Sequence, residues 1–168
     1  MPIETERLRL REFALEDTDF VLALYNSPGF LEFIGDRGIK TQADADAYLR
    51  DNLIASYGKH GHGLYAVELK DSFESVGACG LVKRDGLNAP DIGFAFLPKH
   101  MRRGYGYEAS RAAIKDGRER LKLTRILAIT DPANDASIAL LEKLGLSLEG
   151  MIQLPGDDQR IKLFSTGS

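Results

Sequence analysis

Cysteine is nearly absent from this sequence, which has one in 168 residues. A single cysteine cannot form an internal disulfide, so nothing requires an oxidising compartment. Long hydrophobic runs are also missing, since no uninterrupted apolar stretch approaches the length that crosses a bilayer. The opening residues, Met-Pro-Ile-Glu-Thr-Glu-Arg, are charged where a signal peptide would be apolar. We therefore expect a cytoplasmic protein with no membrane partner.

An excess of basic residues is missing as well. The chain has 22 lysines and arginines against 25 acids, a net charge of -3 and a pI of about 5.7. This mild acidity argues against a general nucleic-acid binder. A length of 168 residues is enough for one hydrophobic core and short for two. We expect a single domain over residues 1–168.

Alternating and periodic apolar residues predict an α+β order with a mixed, mostly antiparallel sheet flanked by helices. A strand that follows a strand and a helix is expected to be parallel to its neighbour, which applies to residues 124–130 after 90–97. Pro28-Gly29 is expected to end the first helix and leave an exposed loop over 30–40. Strands are predicted at 7–13, 64–70, 76–83, 90–97, 124–130, 146–152 and 161–165. Helices are predicted at 15–26, at 41–57 after a Thr41/Asp44 capping box, at 107–121, and from Asn134 or Asp135 to Gly145.

The chain is organised around residues 91–113, which predict a strand, a basic glycine-containing loop and a helix start. The first N–H groups of a helix have no internal partner, and the helix dipole favours negative charge there. Two glycines let a ligand approach the backbone closely. Lys99, Arg102 and Arg103 add positive charge with no acid among them. These features predict a phosphate or pyrophosphate site.

Other nucleotide sites fit the same stretch less well. Residues 104–109 match the dinucleotide pattern G-x-G-x-x-A, but residues 98–103 separate the strand from the first glycine, and Asp131 lies too far along to contact a ribose. No G-K-[ST] follows the glycines, which excludes a P-loop. A basic turn that only caps a helix is the simpler alternative, although it leaves the three cations unexplained.

Three segments in the expected order resemble the GNAT N-acetyltransferase superfamily. Residues 103–108, Arg-Gly-Tyr-Gly-Tyr-Glu, are similar to its acetyl-CoA motif R/Q-x-x-G-x-G/A, with Glu108 where Gly or Ala is usual. Residues 131–145 resemble its second motif, which runs from a strand through Asn-x-x-Ser to Leu-Gly, although Leu146 replaces a common aromatic residue. Residues 5–11, Thr-Glu-Arg-Leu-Arg-Leu-Arg, are similar to the opening of the ribosomal-protein N-terminal acetyltransferase branch.

This resemblance implies direct acetyl transfer from acetyl-CoA to an amine, without a metal or a covalent intermediate. The cofactor's pantetheine arm would lie between two splayed parallel strands, 91–97 and 124–130, and pair with the backbone of Phe96 and Leu97. A backbone N–H there would polarise the thioester carbonyl. The pyrophosphate would bind main-chain donors, with help from Arg102. The residues implied for that contact are Arg103, Gly104, Tyr105, Gly106 and Tyr107.

Candidate catalytic residues lie in the second motif and at the start of the first splayed strand. The resemblance implies that Asn134 binds the pantetheine amide and that Ser137 stabilises the leaving thiolate, whereas both residue types are also favoured as helix caps. An attacking amine must lose a proton, and a carboxylate usually accepts it directly or through water. The second splayed strand has no acid, so Asp91 at the start of the first is the candidate base. A simple turn aspartate is its alternative role.

The partner is expected to be an amine, either a protein N-terminus or a small molecule. A protein that binds acyl-CoA without turnover is the alternative from another class. Monomer and homodimer both stay open. His60 and His62 are expected in an exposed break without a third metal ligand, so no metal site is predicted. Cys79 is expected to be a buried small residue.

Overall fold

The computed structural model describes residues 2–167 as eight strands in one sheet with helices on both faces. The sheet order is β1-β2-β3-β4-β5-β6-β8-β7, and β5 with β6 is its parallel pair. This confirms the predicted α+β class with a mixed, mostly antiparallel sheet. The strands are β1 Ile3–Glu4, β2 Leu8–Arg11, β3 Leu64–Leu69, β4 Ser75–Val82, β5 Asp91–Phe96, β6 Leu127–Thr130, β7 Ser147–Ile152 and β8 Ile161–Ser165.

The helices are more divided than the sequence predicts. A 3-10 turn at Leu15–Asp17 precedes α1, and a π-helical turn at Leu49–Ile54 joins α3 to α4 in place of one continuous helix. Thr41 and Asp44 form the predicted capping box at the start of α3. The helices are α1 Thr18–Tyr25, α2 Pro28–Phe33, α3 Gln42–Tyr48, α4 Ala55–His60, α5 Tyr105–Glu119 and α6 Asp135–Lys143.

Two predictions for exposed segments are wrong. The first helix ends before Pro28, as predicted, but Pro28 then begins α2, so residues 30–33 of the predicted loop are helical, because a proline in the first turn gives up an N–H that has no helical partner. His62 is buried, with 7% of its surface exposed, and its Nδ1 lies 2.7 Å from the carbonyl oxygen of Leu81. That hydrogen bond satisfies the ring in the core.

The sheet separates two apolar clusters. One lies between the sheet and α5 and includes Leu10, Cys79, Phe96 and Ala113. The other lies under α1 to α4 and includes Phe13, Leu24 and Ala78. Cys79 is fully buried in the first cluster, as expected. Within residues 2–167, no helix is long and apolar enough to span a membrane.

Small residues let the layers approach closely. A Cβ atom on Gly117 of α5 would lie within 3.0 Å of the Leu81 side chain on β4. A Cβ atom on Gly80 would lie within 3.0 Å of the backbone carbonyl oxygen of Gly63, which cannot move aside as a flexible side chain can. Glycine at position 80 is therefore required by the approach of neighbouring backbone.

We expect Gly80→Ala to lower the free energy of unfolding by about 3 kcal/mol, because the added methyl group overpacks against a fixed backbone. Gly58→Ala is the matched control, since Gly58 lies in α4 with open space around its Cα atom. That change should raise stability by about 0.5–1 kcal/mol through helix propensity. Urea unfolding of both variants measures the difference, and equal effects would contradict this account of Gly80.

Candidate functional site

Strands β5 and β6 are paired at their starts and diverge afterwards. Their registered pair is Asp91 with Leu127, where the Leu127 N–H donates to the Pro90 carbonyl oxygen at 2.9 Å. Along β5 the pairing continues on the β4 side, from Asp91 opposite Val82 to Phe96 opposite Gly77. The residues after Asp91 therefore form one wall of a wedge-shaped gap that opens toward the end of β5.

Hydrogen bonds alternate along β5 and determine which main-chain groups face that gap. Leu97 donates its N–H to Val76 at 3.0 Å and accepts from the N–H of His100 at 2.9 Å. By alternation, the N–H groups of Phe94 and Phe96 point away from β4 and into the gap. Both main-chain groups of Leu97 are bonded within the protein, so the predicted ligand contact at Leu97 would use the second lone pair of its carbonyl oxygen. Phe94 was missed, although antiparallel alternation could have indicated it.

The loop after β5 has the conformation of an anion-binding turn. Arg102 and Gly104 have left-handed φ angles of 62° and 82°, and Gly104 is the N-cap of α5. Helix α5 thus begins at Tyr105 and not at the predicted residue 107, which brings Tyr105, Gly106 and Tyr107 into its first turn. First-turn N–H groups have no partner within a helix, and a concave run of such donors attracts an anion.

The basic side chains around this loop differ in whether they are already paired with an acid. Arg102 and Arg103 are exposed, and within residues 2–167 neither forms an ion pair. Lys99 is paired with Glu74 at 2.9 Å, and His100 Nε2 lies 3.0 Å from the same carboxylate. The prediction of three cations without an acid therefore holds for the two arginines and fails for Lys99.

Asn134 and Ser137 meet at the start of α6, beside the end of β6. The Asn134 side-chain oxygen accepts the Ser137 backbone N–H at 3.1 Å, so Asn134 caps this helix. The Asn134 amide nitrogen keeps its donors, and Ser137 is 9% exposed with its side chain lining the central cavity. Capping therefore uses one side of Asn134 and leaves its other side for a ligand.

Asp91 is fully buried at the closed end of the gap. Both of its carboxylate oxygens accept from Arg84 Nε at 3.0 Å. Burial raises the pKa of the Asp91 carboxyl above its ordinary value, and the Arg84 charge opposes that rise only in part. Arg84 was missed, although the Asp85-Gly86 turn between two predicted strands indicates that Arg84 lies close to the start of the second strand, two residues past Val82, which is opposite Asp91.

A cavity of ≈ 740 Å³ on the α1–α4 side of the sheet is lined by Asp91, Asn134 and Ser137 but not by the loop after β5. Its floor includes Asp91 and Phe94 of β5, and Asn134 and Ser137 form part of one wall. Aromatic side chains from the helices, among them Tyr25, Phe30, Phe33 and Tyr48, line the opposite side. Within residues 2–167, no three histidine, cysteine or acidic side chains are close enough to hold a metal ion.

Comparison with known proteins places the chain in a family. The family model described as "Acetyltransferase (GNAT) domain" matches residues 7–147. Since this match covers most of the sequence, the chain belongs to the GNAT acetyltransferase family. It is similar to a Bacillus subtilis (strain 168) protein named Uncharacterized N-acetyltransferase YnaD, with 29% identity over 153 residues that cover 91% of this chain and 86% of that protein. These matches support acyltransferase activity.

Solved structures share the fold. The acetyltransferase from Agrobacterium tumefaciens str. C58 superposes with a TM-score of 0.84 at 24% identity, covering 100% of this chain and 95% of that one. RimL, a ribosomal L7/L12 alpha-N-protein acetyltransferase solved in complex with coenzyme A, gives 0.83 at 18% identity and covers 98% and 97%. At these identities the likeness concerns the fold alone.

We expect Arg84→Met to lower the free energy of unfolding by about 3 kcal/mol near pH 7, because it leaves the buried Asp91 carboxylate without a counter-charge. Without Arg84 the folded-state pKa of Asp91 rises further above its unfolded value. The folded state then binds the proton more tightly, so the destabilisation shrinks as pH falls toward 4 and grows as pH rises.

Urea unfolding at pH 4.5 and 7.5 measures this difference. Arg50→Met is the control, because Arg50 pairs with Asp51 at 3.4 Å with more than half of each side chain exposed. It should change little at either pH. A loss in Arg84→Met that does not depend on pH would show that the Arg84 stem, and not its charge, supports the fold.

Proposed function

We propose that this protein moves an acetyl group from acetyl-CoA to a primary amine, by direct transfer within one domain over residues 1–168. The observation that carries the proposal is the gap that opens between β5 and β6 after their one registered pair, with a ≈ 740 Å³ cavity along β5 and the N-terminus of α5 in the loop that follows β5. Such a gap fits an extended molecule with an anionic end. RimL, which has the same fold, was solved with coenzyme A.

The loop residues fit the anionic part of that cofactor. Gly104, Tyr105, Gly106 and Tyr107 offer backbone N–H groups at the N-terminus of a 15-residue helix. A Cβ atom on Gly106 would lie 3.2 Å from a Leu140 methyl group, so glycine also lets α5 approach α6. Arg102 and Arg103 supply charge at the surface of the loop.

Within the gap, the chain offers donors at three places. The N–H groups of Phe94 and Phe96 face the position of the pantetheine arm and its thioester, where a fixed donor stabilises charge that develops on a carbonyl oxygen. The Asn134 amide can donate to the arm, and the Ser137 hydroxyl can donate a proton to a leaving thiolate. Acetyl-CoA itself supplies the activated acyl group.

Asp91 is the proposed proton acceptor for the amine. Its place at the closed end of the gap, on the cavity side of the sheet, suits a base that acts through water. The raised pKa brings the carboxyl closer to the working range of a general base than an exposed aspartate would be. Arg84 holds its orientation.

The acceptor is proposed to be a protein N-terminal amine, because residues 5–11 resemble the opening of the ribosomal-protein acetyltransferase branch and RimL carries that description. A small amine is the second candidate, since the cavity has the size and aromatic lining of a small-molecule pocket. Asp36 and Asp157 also line the cavity and favour a cationic group. A cytoplasmic location and the absence of nucleic-acid partners stay predictions.

Release of free CoA thiol tests the proposal. We expect calorimetric binding of acetyl-CoA at or below millimolar concentration, and thiol release when N-terminal peptides or small amines are added. Turnover with peptides alone identifies a protein acceptor, and turnover with small amines alone identifies the second candidate. Binding without turnover on any amine would indicate a non-catalytic acyl-CoA-binding protein, and absence of binding would reject the proposed function.

Asp91→Asn should lower kcat by about 100-fold with the Kd for acetyl-CoA unchanged, because the amide cannot accept the proton. The ascending limb of the pH–rate profile should also disappear. Asp116→Asn is the control, since Asp116 pairs with Arg120 on the surface of α5 and does not line the cavity. A pH–rate profile that survives unchanged in Asp91→Asn removes this carboxyl from the mechanism.

A further inference from the structure

Glu108 stands where the cofactor motif usually has Gly or Ala. Its carboxylate contacts residues of the chain's first segment. Its Oε1 accepts from Arg7 Nε at 2.7 Å, and its Oε2 accepts from the Arg7 backbone N–H at 2.9 Å and from the Thr5 hydroxyl. Burial works against the charge of Glu108, but these donors outweigh it and hold the pKa of the carboxyl below its ordinary value. Glu108 therefore fixes the Arg7 side chain from two directions.

The fixed Arg7 side chain reaches the proposed phosphate loop. Its Nη1 donates to the carbonyl oxygen of Arg103 at 2.9 Å, and its guanidinium lies 4.6 Å from the centre of the Tyr105 ring. A Cβ atom on Gly104 would lie 3.2 Å from Arg7 Nη2, so the guanidinium covers one side of Gly104. Arg7 thus contacts three consecutive residues of the loop.

One peptide bond is held by these contacts. In a planar trans peptide the C=O and the following N–H point in opposite directions. Since the Arg103 carbonyl points toward Arg7, the Gly104 N–H points away from Arg7. Within residues 2–167, no backbone hydrogen bond uses that N–H, and it adjoins the unpaired N–H groups of Tyr105 and Gly106.

We propose that Arg7, held by Glu108, is a positioning residue that locks the Arg103–Gly104 peptide with its N–H toward the cofactor's pyrophosphate. Glycine has no Cβ to oppose rotation of this peptide, so the backbone alone does not fix the orientation. A flipped peptide would present the Arg103 carbonyl to the phosphates, exchanging an attractive dipole for a repulsive one. This inference rests on the proposed function, because it assigns residues to the same cofactor site.

Three substitutions test whether Arg7 acts by orienting the peptide, and not only through its positive charge or its contribution to stability. Arg7→Lys keeps the positive charge but cannot hold Glu108 and the Arg103 carbonyl together, because lysine has no planar fork. We expect it to raise the Kd for CoA roughly tenfold, the effect of losing one well-placed hydrogen bond to a charged group. Glu108→Gln should raise the Kd to a smaller extent, since it keeps acceptor capacity while losing its charge. Arg125→Lys, in a 2.6 Å pair with Glu149 far from the loop, should leave the Kd unchanged.

Calorimetry with CoA gives these constants, and the amide resonance of Gly104 in labelled protein reports the peptide directly. A locked peptide gives one sharp signal in the free protein, and Arg7→Lys should broaden or double it until CoA is added. An unchanged Kd and a single unchanged Gly104 signal in Arg7→Lys, or in Glu108→Gln if the first variant does not fold, would overturn the lock. A wild-type protein that fails to bind CoA would reject the proposed function instead.

Discussion

The divergence of β5 from β6 is the constraint on which the rest of the site depends. A sheet normally satisfies the backbone groups of neighbouring strands along their whole length. Here the registered pairing is limited to Asp91 and Leu127, and the following residues of β5 are bonded on the β4 side. The N–H groups of Phe94 and Phe96 then face the gap and not β4. The loop after Leu97 and helix α5 continue from this open end, so the anion-binding turn lies in line with the gap.

Burying the Asp91 carboxylate at the closed end of the gap is destabilising, and the ion pair with Arg84 offsets that effect. A buried carboxylate without a partner is strongly destabilising, whereas one whose two oxygens share a guanidinium N–H is tolerated. Asp91 has that arrangement where β4, β5 and β6 meet. The same pairing restrains its basicity, because burial and Arg84 act on its pKa in opposite directions. Structure and proposed chemistry therefore depend on one ion pair, and a substitution at Asp91 must be judged by binding and stability as well as by rate.

Sequence patterns predicted most of the fold because alternation and capping are local properties. Leu8 and Leu10 indicated β2, Thr41 and Asp44 the start of α3, and residues 124–130 the parallel neighbour of β5. Failures came where tertiary contacts decided the outcome. Whether Pro28 ends a helix or begins one depends on the preceding turn, and whether His62 is exposed depends on a carbonyl 19 residues away. At the site, the loop could be located, but the occupied Leu97 backbone and the partners Arg84 and Arg7 required the strand register.

Two carboxylates, Asp91 at the start of β5 and Glu108 in the first turn of α5, are each paired with an arginine from another segment. The pairing of Arg7 with Glu108 determines which groups of the loop keep an uncompensated positive charge. Because the charge of Arg7 is matched by Glu108, the phosphate site proposed for this loop would depend on backbone dipoles and on the exposed Arg102 and Arg103. Backbone dipoles act only when they are aimed correctly, whereas an exposed arginine can adjust to its ligand. A loop that relies on dipoles therefore needs something to fix its peptides, and the Glu108–Arg7 pair is placed to do so.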